Sequence, residues 1–288
     1  MKVLIVGGGI AGATLAFALR RTGHVAVVAE ARSGHRDTGG AFLSLAPNGM
    51  NALRAIGLGD VPSAAGAFPV SGIDFHNARG RRVADINGAQ DLDRYGAQSV
   101  VLRRAGLHAE LAERALAAGA TFHFDARLVE LRSRPDGVQA VFANGRTQTA
   151  DAVIGADGIW STVRRLLWPD SPGPSYTGIV DCGGWTEVDL PDTARQQMYF
   201  GHRAFFGCTV HSNLAYWFSN VPRGDEPGRL ELDTLDQEEW MAHIRELHQR
   251  DPAPVRSILE AVQGSLGAWP VYDMPALDVW HTERVCLI

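Results

Sequence analysis

Cysteine is scarce in this chain. Cys182, Cys208 and Cys286 are odd in number and far apart, which excludes a disulfide framework and fits reduced thiols. Neither a Cys-x-x-Cys pair nor a His-Glu-x-x-His helix occurs, so no metal site is expected, and the ten histidines are scattered. Positive charge is nowhere concentrated. With 27 Lys and Arg against 32 Asp and Glu, the formal charge of −5 makes nucleic acid an unexpected partner. No apolar run reaches bilayer-spanning length, so no membrane partner is expected either. Met1 leads straight into a strand-like run with no signal peptide, from which a cytoplasmic location is expected. Sequence repeats and low-complexity tracts are also lacking.

What remains is an ordinary globular composition. At 288 residues, with 45% hydrophobic and 20% charged, the chain can build one large or two modest domains with a real core. The stretch from Lys2 to Glu30 organises it. KVLIV (Lys2 to Val6) is a short strand-like run, and Gly7-Gly8-Gly9-Ile10-Ala11-Gly12 supplies the Gly-x-Gly-x-x-Gly turn with no spare residue. Gly7 permits the tight turn, Gly9 lets backbone N–H groups approach a pyrophosphate, and Gly12 lets the following helix pack close to the sheet. That helix, small and apolar through Ala11, Ala13, Ala16 and Ala18, carries Arg20 and Arg21 in its last turn and stops at Gly23. VAVVA (Val25 to Ala29) is the second strand, and Glu30 falls where a carboxylate accepts hydrogen bonds from an adenosine ribose. Strand, triplet, helix and acid-ended strand in register point to a dinucleotide site, for FAD or for NAD.

Further along, a polar loop turns apolar after Gly39-Gly40, and Pro47-Asn48 opens a short helix. Val70 to Ile86 holds two strand-like runs around a hairpin signal at Asn77 to Gly80. Gln98 to Arg103 is strand-like, and the next helix, entered at Arg104, aligns Leu107, Leu111, Ala115 and Ala118 before Gly119. Strands at about 121 to 134, 138 to 142 and 146 to 154 read as an antiparallel meander. The last runs into Gly155-Ala156-Asp157-Gly158, a second strand-glycine-helix junction with Ser161, Arg164 and Arg165 beyond. PDSPGPS at 169 to 175 marks a boundary, after which aromatic runs from Tyr176 to Asn220 predict one antiparallel sheet. Asp236 with Glu239 forms a capping box for a helix through Trp240, Met241, Ile244 and Leu247, and a second short helix is expected near Val255 to Val262.

At Gly155 to Ser161 the chain resembles the class A, single-component flavoprotein monooxygenases, the aromatic hydroxylase family that includes salicylate and para-hydroxybenzoate hydroxylases. The resemblance covers nearly the whole chain in order: the fingerprint at Gly7 to Gly12, the ribose acid at Glu30, an arginine-bearing loop at Arg36 to Gly40, the Pro47-Asn48 helix, and Arg104 with Leu107. It implies an α/β fold: a Rossmann-like FAD-binding fold with a β-meander, plus a second α+β substrate domain built on an antiparallel sheet. The boundaries expected are 1–66, 97–175 and 268–288 for the FAD-binding domain, and 67–96 and 176–267 for the substrate domain.

The resemblance decides for FAD as cofactor, with NADH or NADPH as electron donor. It implies that Gly7, Gly9, Ala11 and Gly12 hold the dinucleotide, with Glu30 on the ribose, Arg104 on the pyrophosphate and ribityl region, and Asp157 near the ribityl chain. Arg36 lies beside the flavin loop in this scheme, and Arg32 stands in for a basic residue that the family commonly has where this chain has Ala31. A second departure is Gly106, where an aspartate is often found. Family members form a flavin peroxide adduct with O2 and insert one oxygen atom into an electron-rich, aromatic or polycyclic small molecule. Phe200, Phe206, Tyr216 and Phe218 are the candidates for the substrate wall, and no catalytic residue is assigned.

WHTERVCLI (Trp280 to Ile288) resembles the strand leading to the family's Gly-Asp-Ala-Ala-His motif, which is expected to follow in a longer chain, so a truncated form is expected. Two alternatives stand beside the monooxygenase. A flavin-dependent halogenase would carry Trp-x-Trp-x-Ile-Pro, which is absent. A non-catalytic protein of this fold would act as a binding module or be completed by another chain.

Overall fold

The computed structural model describes residues 1–34, 42–228, 231–232, 234, 236–264 and 266–288. Arg36 and the Gly39-Gly40 pair lie outside the described residues. The chain begins with β1 (Lys2–Val6), α1 (Ile10–Arg21) and β2 (Val25–Ala29). There follow β3 (Phe42–Leu45), α2 (Pro47–Ala55), α3 (Val61–Ala64), β4 (Phe68–Pro69), the hairpin β5 (Gly72–Asn77) and β6 (Arg82–Asn87), and α4 (Asp91–Tyr95). Next, β7 (Val100–Arg103) runs directly into α5 (Arg104–Ala117), and β8 (Thr121–His123), β9 (Leu128–Arg134), β10 (Gly137–Phe142), β11 (Thr147–Ala150), β12 (Ala152–Gly155) and α6 (Thr162–Leu167) come after it. The last part contains β13 (Ser175–Glu187), β14 (Gln196–Phe200), β15 (Phe205–His211) and β16 (Leu214–Pro222). It ends with α7 (Gln237–Leu247), α8 (Ala253–Ala261), β17 (Gly267–Asp273) and β18 (Val285–Leu287).

The chain folds as two compact units. One comprises Met1–Asp37, Gly106–Ser175 and Asp273–Ile288, and the other Thr38–Ala105 and Tyr176–Tyr272. Residues 42–66, 97–105 and 268–272 thus group with the second unit, where the sequence boundaries placed them in the first. For the first two stretches the cause is a three-stranded sheet, β3-β7-β4, whose Phe68 and Val101 bury against Tyr216, and for the third it is β17, which pairs into the sheet of that unit.

In the first unit a five-stranded sheet has the order β18-β12-β1-β2-β8. Its central pairings are parallel, with Val3 beside Ala152 and Ala26. Strands this apolar are buried on both faces. Val3, Ile5, Ala26 and Val28 pack with Ala16 of α1 and Ala115 of α5. Leu4, Val6, Val27 and Ala29 face Leu128, Val138, Ala140 and Phe142 of the meander β9-β10-β11.

Two expected strands are each broken in two. The run 121–134 breaks at Asp125, a left-handed residue at φ 54° whose N–H donates to the Arg32 carbonyl. Its first part, β8, therefore pairs parallel with β2 and leaves the meander. The run 146–154 breaks at Asp151, whose Oδ2 accepts from the Lys2 N–H at 2.7 Å, and β12 joins β1.

The second unit is built on a seven-stranded sheet, β17-β13-β16-β15-β14-β5-β6. The runs from Tyr176 to Asn220 form the expected antiparallel sheet, β13-β16-β15-β14, and β14 joins it to the β5-β6 hairpin by a parallel pairing. One face carries Val180, Cys182, Tyr199, Phe206, Cys208, Ala215 and Trp217, packed on Ile244 of α7 and on Ile258 and Leu259 of α8. Burial pushes the Cys182 and Cys208 thiols up to about 12, which leaves them as inert core groups.

Candidate functional site

The chain leaves β1 toward β2 on one side and later returns as β12 on the other. The carboxyl ends of β1 and β12 therefore form a topological switch point, where open parallel sheets bind ligands. The glycine turn and the Gly155 to Gly158 junction meet there. Gly7 has φ 104°, and a β-carbon on it would run into the Ala156 carbonyl. A β-carbon on Gly12 would collide with the Gly7 carbonyl oxygen, whereas at Gly9 nothing stands within 4 Å. Gly9 thus opens onto free space at the mouth of the turn.

The first turn of α1 is prepared for an anion. It has no side-chain cap and no acidic residue, so its N–H groups keep their donors. Two other helices, α6 and α7, are capped by side chains. The Asp236 carboxylate accepts from Glu238 and Glu239 N–H at the start of α7. Asp157 accepts from the Ser161 hydroxyl and from Thr162 N–H at 2.6 Å and Val163 N–H at 3.1 Å, which caps α6. Asp157 therefore fixes the shape of the second glycine junction through its own carboxylate. Arg164, buried at 4% exposure, donates to the Ile159 carbonyl and reaches the Met274 sulfur, closing the same junction from below.

Glu30 folds back over the turn. Its Oε2 accepts from Gly8 N–H at 2.8 Å and its Oε1 from Arg32 N–H at 2.9 Å. A carboxylate offers about four lone-pair sites, so about two remain for further donors. Arg32 contributes by its backbone, and its side chain is exposed. Arg104 is the first residue of α5. One turn on, His108 is buried at 6% exposure, and its Nε2 donates to the Gly8 carbonyl at 2.7 Å. His108 pins the glycine turn, a role that the sequence alone did not single out. Its signal was a polar residue inside the apolar stripe of Leu107, Leu111 and Ala115.

In the second unit, β-register sets a second surface on the sheet face opposite α7 and α8. Asp181 pairs with Asn220, which pairs with Phe205, which pairs with Phe200. The next row is Gly183, Phe218, Gly207, Met198 and Phe75. Trp185 and Tyr216 begin the row after. The Phe218 ring lies across Gly207, where any β-carbon would strike it. Rings follow one another along this face: Phe200 to Phe205 at 5.3 Å, Phe205 to Phe218 at 6.0 Å, Phe218 to Phe42 at 6.1 Å. Arg103 stacks on Trp185 at 4.3 Å. Phe200, Tyr216 and Phe218 lie on this face. Phe206 does not. It is fully buried on the helix-covered face, stacked 6.0 Å from Trp217, because neighbouring strand residues point to opposite sides.

The aromatic face holds one acid that the sequence did not single out. Asp181 accepts from Asn220 Nδ2 at 2.9 Å, and burial pushes its carboxyl up to about 6 against the pull of that hydrogen bond. A carboxyl raised in the folded state stabilises below its unfolded value near 3.8 and loses that contribution as pH rises through about 6. Asp181→Asn keeps an acceptor for Asn220 and removes the charge. It is expected to gain roughly 2 kcal/mol of stability over the parent at pH 8 and little at pH 4, measured by denaturant unfolding.

A Ser219, His248, Asp251 chain in the same unit has the residue types of a hydrolase triad. His248 Nε2 accepts from the Ser219 hydroxyl at 2.8 Å, and Asp251 accepts from His248 Nδ1 at 2.7 Å. Ser219 and His248 are fully buried, so no substrate reaches the hydroxyl and the chain is structural.

A switch-point glycine turn with an uncapped helix and a carboxylate folded back over the turn is the geometry of a dinucleotide-binding fold. The FAD binding domain model matches residues 1–288. The chain is 37% identical over 303 residues to 3-amino-4-hydroxybenzoate 2-monooxygenase of Streptomyces platensis, covering 99% of this chain and 72% of that protein. To 3-hydroxybenzoate 6-hydroxylase of Klebsiella oxytoca it is 28% identical over 306 residues, covering 100% of this chain and 72% of that protein. Among solved structures, Klebsiella pneumoniae HpxO complexed with FAD and uric acid shares the fold at a TM-score of 0.86 and 23% identity, covering 100% of this chain and 72% of that one. The chain belongs to the FAD binding domain family and is an FAD-dependent monooxygenase of the aromatic hydroxylase kind. No helix of the described residues is long and apolar enough to cross a membrane.

Proposed function

We propose that the chain hydroxylates a small aromatic compound carrying a hydroxyl or amino substituent, at the expense of NADH or NADPH and O2. The observation that carries this reading is the aromatic sheet face of the second unit, with its single half-buried acid, in a chain of this family. Bound FAD would supply electron transfer from the nicotinamide and the activation of oxygen.

The residues of the chain divide the remaining work. N–H groups at Gly9 to Gly12 would take the pyrophosphate, with Gly7 and Gly12 holding the turn against the sheet. Glu30 would accept from the ribose, and His108 would keep Gly8 in place for it. Arg104 and Asp157 would border the ribityl end. Phe218, Tyr216 and Phe200 would form the apolar wall that orients the ring and excludes water.

Purified protein loaded with FAD should show a bound-flavin spectrum and NAD(P)H oxidation stimulated by 3-amino-4-hydroxybenzoate or 3-hydroxybenzoate. A colourless protein inert to both would support the binding-module alternative. Glu30→Ala is expected to weaken FAD binding roughly tenfold or more, from loss of charge-assisted hydrogen bonds, in a fluorescence titration.

A further inference from the structure

The second unit places a carboxylate on the same sheet face as a partly exposed ring, Phe218. Asp181 projects from the sheet face opposite the helix-packed core, so it supports no helix. Its Oδ1 is used by Asn220, and Oδ2 takes no hydrogen bond from the described residues. Burial disfavours its charge, which is a cost that folding alone does not recover. Phe218 lies on the diagonal from Asp181, two residues before its partner Asn220 on β16, a separation of about 7–8 Å. That span matches an aromatic ring laid against Phe218 with one substituent reaching the carboxylate. Gly183 and Gly207 flank Phe218 in its row, so no side chain from either neighbour covers the ring.

We propose that Asp181 is the specificity-determining acceptor of this face: its Oδ2 takes a hydrogen bond from a hydroxyl or amino group on the aromatic substrate lying against Phe218 and Phe205. This rests on the aromatic-substrate function proposed above and deepens it. The hydrogen bond leaves the proton on the substituent. It raises electron density in the ring, where an electrophilic oxygen is received, and it selects for donors over ethers. Asn220 holds the carboxylate in orientation and is a positioning residue.

The test uses 3-hydroxybenzoate and its methyl ether, 3-methoxybenzoate, on the flavin-loaded protein. Binding is read from tryptophan fluorescence, for which Trp185 lies on the same face. Turnover is read separately from NAD(P)H oxidation. The parent protein is expected to bind the hydroxy compound about tenfold tighter than the ether. In Asp181→Asn the amide presents a donor where Oδ2 was, and the preference should fall to within about twofold or invert, with FAD affinity unchanged. Asn220→Ala should weaken the preference without removing it. An unchanged preference in Asp181→Asn, with oxidation still stimulated by the aromatic, overturns the role of Asp181 and leaves the aromatic hydroxylase standing. If neither compound moves the fluorescence or the oxidation of the parent protein, the aromatic-substrate function fails and the role of Asp181 fails with it.

Discussion

Gly12→Val is expected to abolish FAD binding and to destabilise the first unit. The glycine sits where α1 crosses the Gly7 carbonyl, and its missing β-carbon is the only space available. The main obstacle is the Gly7 backbone, with the Ile5 side chain beside it, so no side-chain rotation relieves it, and α1 must move off the turn. That shift carries away the N–H groups proposed to take the pyrophosphate. Overpacking of this kind costs about 1–3 kcal/mol in stability, and FAD affinity should fall at least roughly a hundredfold. Gly9→Ala provides the contrast. Nothing stands within 4 Å of its β-position, so the fold should keep its melting temperature while the methyl group fills the anion's place. A flavin titration and a thermal melt on both variants separate the two effects. Equal FAD affinity in Gly12→Val and the parent would exclude the turn as the dinucleotide site.

The second large effect is on stability alone. Asp251 is buried at 2% exposure and accepts from His202 N–H and Nδ1, both at 2.9 Å, and from His248 Nδ1 at 2.7 Å. Burial alone would raise its pKa, but these donors outweigh it and hold the carboxyl below its usual range. Asp251→Ala leaves the donors unpaired in the core of the second unit, at a cost of about 3–5 kcal/mol. Burial lowers the His248 pKa as well. Both groups are depressed, so both contribute stability above their unfolded values that is lost as pH falls. The loss begins near 6.5 with His248 and continues below 3.8 with Asp251. Denaturant midpoints at pH 7.5 and pH 5 should therefore differ in the parent protein, and differ less in His248→Gln.

Much of the first unit was legible because its signals are local. Gly7, Gly9 and Gly12 sit between an apolar strand and an alanine-rich helix, and Glu30 closes the next strand, so spacing alone carries the geometry. What was not legible depends on partners far along the chain. The parallel pairing of β14 with β5 joins Gln196 to Ile73, and nothing in either segment announces the other. Whether 121–134 is one strand or two turns on Asp125 bonding to the Arg32 carbonyl. In FFGCTVH of β15, Phe205 and Phe206 are chemically identical, and only register decides that one lies on the open face and the other in the core. Asp181 was visible as an acid in a strand-like run, yet its meaning comes from Asn220 and Phe218 across the sheet. His108 likewise acquires its role only when α5 packs against the glycine turn.

The monooxygenase assignment is tested most directly by turnover of the FAD-loaded protein under isotopically labelled dioxygen, with 3-hydroxybenzoate or 3-amino-4-hydroxybenzoate as substrate and NAD(P)H as donor. One labelled oxygen atom in the aromatic product, formed in proportion to the nicotinamide oxidised, is the expected outcome. Nicotinamide oxidation that yields only hydrogen peroxide with every aromatic offered, or a product whose new oxygen comes from water, would refute it.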